Sequence, residues 1–209
     1  MGRIGVGTLA GLLRIRTARI GLIGAVFVFL AQFAAYTYVS PYLEDLVKVS
    51  AGTITVALLV FGLTGIAGNF LAGATLARSI RATVGVAMGT VAVTVVLLPF
   101  VAGSLVAVFV LLALWGLVWG ALPLSMQTWM STAAPAAAEG GLALFVTTIQ
   151  LSIAAGSVIG GAAVGAGGLA FDFWLAGGIA VVGAILLPVL GRRPARERMP
   201  VAQAEPTAV

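Results

Sequence analysis

Apolar runs between the charged positions divide the chain into six stretches, at about 20–39, 53–76, 82–101, 105–129, 141–164 and 173–190. Each is long enough to cross the ~30 Å hydrocarbon layer of a bilayer as a helix, the form in which every backbone polar group bonds within its own segment. The predicted fold class is therefore all-α: a polytopic membrane protein with six transmembrane helices. The connections predicted between them are an acidic loop at Pro41, Glu44, Asp45 and Lys48, and a tight basic turn at Arg78 and Arg81. They continue with an uncharged link at Gly103 and Ser104, the segment 131–139, and a glycine-rich turn carrying Asp172.

Charge orients these spans. Arg3, Arg14, Arg16 and Arg19 precede the first, Arg78 and Arg81 separate the second from the third, and Arg192, Arg193, Arg196 and Arg198 follow the sixth, which leaves Lys48 alone on the other side. Basic residues are retained on the cytoplasmic side, so both termini are expected to be cytoplasmic in a multi-pass protein of the cell membrane. Residues 1–19 read as a cytoplasmic N-terminal segment, 20–190 as a six-helix transmembrane unit, and 191–209 as a basic, disordered tail. A basic start followed by an apolar stretch with Ala31, Ala34 and Ala35 also has the outline of a secretory signal. The long basic region and full spanning length favour a retained helix.

Composition agrees, with 61% hydrophobic and 8% charged residues, too apolar a chain for an aqueous core. The net charge of +5 sits in short flanks of apolar spans, which speaks for the bilayer as partner and against nucleic acid. There is no cysteine and no histidine. That removes thiolate chemistry, the usual general base and the commonest metal ligand, so no catalytic, metal or cofactor site is expected. Gly5, Gly7 and Ala10 mimic a dinucleotide-binding turn, but no strand precedes them.

No span carries an Asp, Glu, Lys or Arg at its middle, and intramembrane proton relays normally need one. Uncharged polar groups concentrate in spans one, two, four and five, and spans three and six read as lipid-facing supports. Gln32 and Tyr36 are four apart; Gly116, Gly120, Pro123 and Gln127 share a helical face, as do Thr147, Gln150, Ala154, Ser157 and Gly161. One reading is a shared polar cavity that binds a small molecule, with Gln32, Tyr36, Asn69, Gln127 and Gln150 as hydrogen-bonding contacts and Trp115, Trp119 and Trp129 as stacking or rim residues. The other is interhelical hydrogen bonding, and for the tryptophans anchoring at the membrane interface. Glycines stud span two (Gly62, Gly65, Gly68, Gly73) and span five (Gly156, Gly160, Gly161, Gly165), at spacings that let helix backbones approach closely. A polar-faced, a glycine-rich and a bland helix follow one another twice, the first triplet beginning inside and the second outside. This is the order of a 3+3 inverted repeat.

The run Leu114-Trp115-Gly116, Trp119-Gly120, Pro123, Gln127-Thr128-Trp129, then Glu139-Gly140-Gly141, Ile149-Gln150-Leu151, Gly156 and Ile159-Gly160-Gly161 resembles the tenth and eleventh helices of major facilitator superfamily (MFS) transporters. The likeness is to the drug:proton antiporter branch that contains bacterial sugar and purine ribonucleoside efflux permeases. Tyr36-Thr37-Tyr38-Val39-Ser40-Pro41-Tyr42-Leu43-Glu44 looks like the end of that branch's seventh helix, and Gly68-Asn69-Phe70-Leu71-Ala72-Gly73 like its eighth. The family's loop signature survives as Gly73, Arg78 and Arg81, with Ala77 where its Asp would stand. The resemblance implies the C-terminal six-helix half of a twelve-helix fold, whose substrate site lies between two halves. It implies efflux of small polar molecules (sugar, nucleoside or drug-like) by this half acting as a homodimer or with a separately encoded N-terminal half. The alternative from another class is a non-transporting truncated remnant or membrane scaffold.

Overall fold

A computed structural model describes residues 11–76, 79–133 and 138–191. The regions of Arg3, Gly5 to Ala10, Ala77, Arg78 and the basic tail after Gly191 lie outside the described residues, and with them the altered loop signature and the expected tail. Among the described residues there is no strand. Helix α1 spans Arg16–Tyr36. The three-residue α2, Val39–Pro41, runs into a π-helical turn, Tyr42–Leu46, so the expected acidic loop is largely wound. Then come α3 (Ala51–Leu76), α4 (Ile80–Leu97), a 3-10 turn (Leu98–Val101), α5 (Leu105–Ala133) and α6 (Ala138–Gly191). Serine hydroxyls start three of these helices: Ser50 accepts from Thr53 N at 3.3 Å, Ser79 from Ala82 N at 3.3 Å, and Ser104 from Ala107 N at 3.4 Å.

The six expected spans thus form five long apolar runs, because the last two are joined. A straight helix of the 54 residues of α6 would measure about 80 Å, well beyond any bilayer. It turns at Gly168, whose φ of 78° and ψ of −179° lie in a region essentially closed to side-chain-bearing residues. Contacts show the reversal. On the first arm, a Cβ at Gly156 would meet Leu30 O at 2.7 Å and one at Gly160 would meet Ala34 O at 2.6 Å, so this arm runs parallel to α1. On the second, Gly183 abuts Phe27 and Leu187 abuts Gly24, so it runs antiparallel. Gly168→Ala is expected to lower stability by about 1–3 kcal/mol, read as a fall in unfolding temperature in detergent. Gly165→Ala, with nothing within 4 Å, is the comparison; equal behaviour of the two would remove the strain argument.

The second parallel pair is α3 with α5. Gly116 fits against Phe61 O, and Gly120 against Gly65 O, positions that leave no room for a Cβ. Exchanging the first and second helix triplets carries the pair of α1 and the first arm onto α5 and α3. The two glycine-mediated parallel contacts are therefore equivalents under the inverted repeat.

Two sequence expectations change. α4 and the second arm are not merely lipid-facing: Val84, Met88, Val91 and Val95 of α4 and Phe173, Ala176, Ala180 and Leu187 of the second arm belong to the core. α3 is the least buried of the long runs. Spans three and six are bland because they pack mainly through apolar side chains. Second, Asp172 is not in an exposed turn. It lies in helix beyond the Gly168 break, fully buried, with Oδ1 close to Gly160 and neither carboxyl oxygen hydrogen-bonded.

The two ends of the bundle differ. At one, Arg16 donates to Leu190 O at 3.2 Å, Trp129 Nε1 donates to Thr17 O at 3.1 Å, and Arg81 lies over the Trp129 ring. At the other, Tyr42 donates to Leu98 O at 2.6 Å and stacks on Phe173 at 4.8 Å, while Phe100 meets Trp174 at 5.6 Å.

Candidate functional site: a polar seam along the first helix

Gln32 is the best-defined polar group in the interior. Its Oε1 accepts from Trp115 Nε1 at 2.8 Å, while its Nε2 has no partner although the residue is 1% exposed. Phe29, Phe33 and Tyr36 follow Gln32's helix at steps of four and three and so share its side of α1. They meet aromatic residues from three other segments. Tyr36 packs on Phe61 of α3 at 5.0 Å and on Trp115 of α5 at 6.2 Å. Phe29 and Phe33 pack edge-on against Trp119 at 5.4 and 6.1 Å, and Phe29 reaches Phe145 of the first arm at 6.5 Å. One turn further, Thr37 and Ser157 hydroxyls are 2.9 Å apart and Tyr38 donates to Ser157 O at 3.1 Å. The seam from Gln32 to Tyr38 therefore ties α1 to α3 and α5 on one side and to the first arm on the other.

The sequence-predicted contacts divide accordingly. Gln32 and Tyr36 come together with Trp115. Asn69, Gln127 and Gln150 are exposed, and no hydrogen bond or ring contact joins them to Gln32 or Tyr36. The stripe Gly116, Gly120, Pro123, Gln127 also changes meaning, since its two glycines are the packing surface for α3; Gln127 alone is left open. On the first arm, Thr147 and Gln150 are exposed beside the packed glycine face. Amides and hydroxyls on apolar helices face water, a partner or a ligand, because lipid offers them nothing to bond. Most threonine and serine hydroxyls avoid that cost by bonding back to their own helix, as Thr64, Thr94, Ser125 and Thr147 do. Exposed Asn69, Gln127 and Gln150 make no such bond.

Of the tryptophans, Trp115 is an interior hydrogen-bond donor, Trp119 is half-buried among phenylalanines, and Trp129 is pinned to Thr17 at the basic end. Tyr36, Trp115 and Trp119 of this aromatic cluster are among the residues expected from sequence, whereas Phe29, Phe33, Phe61 and Phe145 are not, although Phe29, Phe33 and Tyr36 at i, i+4 and i+7 are a usable signal. Among the described residues no group of His, Cys, Asp and Glu could hold a metal ion. The seam can hydrogen-bond and stack; it holds no nucleophile paired with a base.

Fold and seam together define a multi-pass helical membrane protein with polar groups on chosen faces of apolar helices. The model of the Major Facilitator Superfamily matches residues 21–208, and the chain belongs to that family of membrane transporters. It is 32% identical over 188 residues to a protein of Pseudomonas aeruginosa named "Transcription regulatory protein OpdE", a match covering 90% of this chain and 47% of that one. It is 28% identical over 167 residues to the "Purine ribonucleoside efflux pump NepI" of Escherichia coli strain K12, covering 80% of this chain and 42% of the pump. The same pump of Shigella dysenteriae matches equally, at 28% identity over 167 residues. The chain spans about half the length of these relatives.

Proposed function

We propose that the six helical segments form one half of an efflux-type transport unit for small polar molecules, the opposing wall being a second copy or a separately encoded N-terminal half. The observation that carries this reading is the set of exposed amides, Asn69, Gln127 and Gln150, on helices otherwise suited to lipid. Such groups are satisfied in a water-filled cavity shared with a facing unit. Sugar, nucleoside or drug-like solutes are the substrate class of this reading, and the relatives named as purine ribonucleoside efflux pumps support its nucleoside member. Both parallel glycine-mediated pairs supply the packed surfaces needed for rocking as a rigid body. Arg16 and Arg81 lie at one end, which supports an orientation with both termini in the cytoplasm.

Cells expressing the chain, alone and with a candidate first half, are expected to export a purine ribonucleoside or sugar from preloaded cytoplasm. Gln127→Ala and Gln150→Ala are each expected to slow export by about tenfold, the loss of one charge-free hydrogen bond to substrate. No flux in either configuration would leave a non-transporting scaffold as the function; a stable parallel dimer by crosslinking argues for the two-copy form.

A further inference from the structure

The end of the bundle bearing Arg16 and Arg81 contains a cleft that the transport reading does not use. Its volume is 230 Å3, and its walls are Thr17 of α1, Ile80 and Arg81 of α4, and Trp129, Thr132 and Ala133 of α5. The Arg81 guanidinium carbon sits 5.8 Å from the centre of the Trp129 ring, a stacking distance for a cation on an indole. The indole is itself fixed by its bond to Thr17 O. Thr17 offers a hydroxyl only weakly committed elsewhere, 3.4 Å from Ala133 O.

Arg81 occupies the first turn of α4. The N-terminal end of a helix carries partial positive charge, which disfavours a cation there and favours an anion. Guanidinium and helix end therefore add to one positive potential, and among the described residues no acidic side chain lines the cleft. The first two turns of α4 also border a second cavity of 370 Å3 toward α3, walled mainly by apolar side chains including Leu71, Val86, Leu117 and Ala121. A cationic cleft and an apolar groove on neighbouring faces of one helix are together complementary to an amphiphile. A free anion would leave the groove unused.

We propose that this end of the chain binds an anionic phospholipid, its phosphate against Arg81 over Trp129 and an acyl chain in the apolar groove beside α4. Basic pockets between membrane helices recognise acidic headgroups by this electrostatic logic. The full chain, purified in a mild detergent, is titrated with phosphatidylglycerol, phosphatidylcholine and inorganic phosphate, with bound lipid counted by native mass spectrometry and unfolding temperature followed in parallel. Phosphatidylglycerol is expected to remain as a one-to-one adduct and raise the unfolding temperature, and phosphatidylcholine to do neither. Arg81→Gln is expected to weaken the adduct about fivefold, whereas Arg19→Gln, an exposed arginine at the same end, leaves it unchanged. Ala82→Phe, which fills the groove, weakens lipid retention as well. Equal retention of both lipids overturns the headgroup assignment. Protection by phosphate as strong as by phosphatidylglycerol makes this a free-anion site instead, and equal losses in the two arginine variants make the attraction diffuse. Should Arg81→Gln not fold, the wild-type lipid series decides the headgroup question, and Arg81→Lys, which keeps the charge without the planar stack, is expected to fall between.

Discussion

Gly120→Ala is expected to be among the most disruptive single-methyl changes at the described residues. A Cβ at Gly120 would fall on Gly65 O, and the neighbouring contacts of Gly116 with Phe61 O and of Gly68 with Leu117 O are equally closed. The obstacle is backbone on both sides, so no rotamer change relieves it; α3 and α5 must separate. The cost is about 3 kcal/mol, in the upper range for overpacking, or roughly a 10 °C fall in unfolding temperature for a chain of this size. Alanine's better helix propensity, about 1 kcal/mol, offsets only part of it. Gly62→Ala, on the same α3 but with nothing within 4 Å of its Cβ, is expected to be neutral or slightly stabilising. If the two variants unfold at the same temperature, the close approach of α3 and α5 is wrong.

The second large effect is at Gln32 and Trp115. Trp115→Phe removes the donor and leaves both ends of the buried Gln32 amide unpartnered; Gln32→Leu leaves the buried indole N–H without an acceptor. Each single change is expected to cost about 1–3 kcal/mol, the penalty of an orphaned buried polar group. The double variant, in which neither orphan remains, is expected to recover about 1 kcal/mol relative to the sum of the two. That lies between the average and the largest couplings found for hydrogen bonds between membrane helices. The measurement is a double-mutant cycle on reversible unfolding in detergent. Costs that add to within about 0.4 kcal/mol would mean that the 2.8 Å contact contributes no coupling. The outcome also bears on function, since Gln32 is committed to Trp115 in this arrangement while the open amides at 127 and 150 are not. A transport defect in Gln32→Leu without loss of stability would return Gln32 to the substrate's contacts.

The arginine and tryptophan positions illustrate how far sequence reasoning reaches. The one-sided distribution of basic residues predicted that Arg16 and Arg81 share an end, and they do. It could not predict that Arg81 settles on Trp129, because those residues are 48 positions apart on helices whose azimuth the charge pattern does not set. Asp172 shows the reverse. A glycine-rich stretch with one acid reads as a turn, but the chain reverses at the single residue Gly168 and helix resumes at once. The carboxyl therefore lies inside the packing of the reversal rather than in solvent.

The order of residues was sufficient for the membrane class, the approximate spans, the family and the doubled pattern of helices, because each depends on local properties: span length, flanking charge and spacing along one helix. Tertiary structure alone decided which glycine face packs on which partner, that Gln32 is enclosed while Gln127 and Gln150 stay open, and that bland spans three and six are core. In water, burial follows polarity and can be inferred from it. In a bilayer, a side chain facing lipid and one facing another helix are equally apolar, so the distinction is carried by shape and close approach between helices, which no single helix's sequence contains.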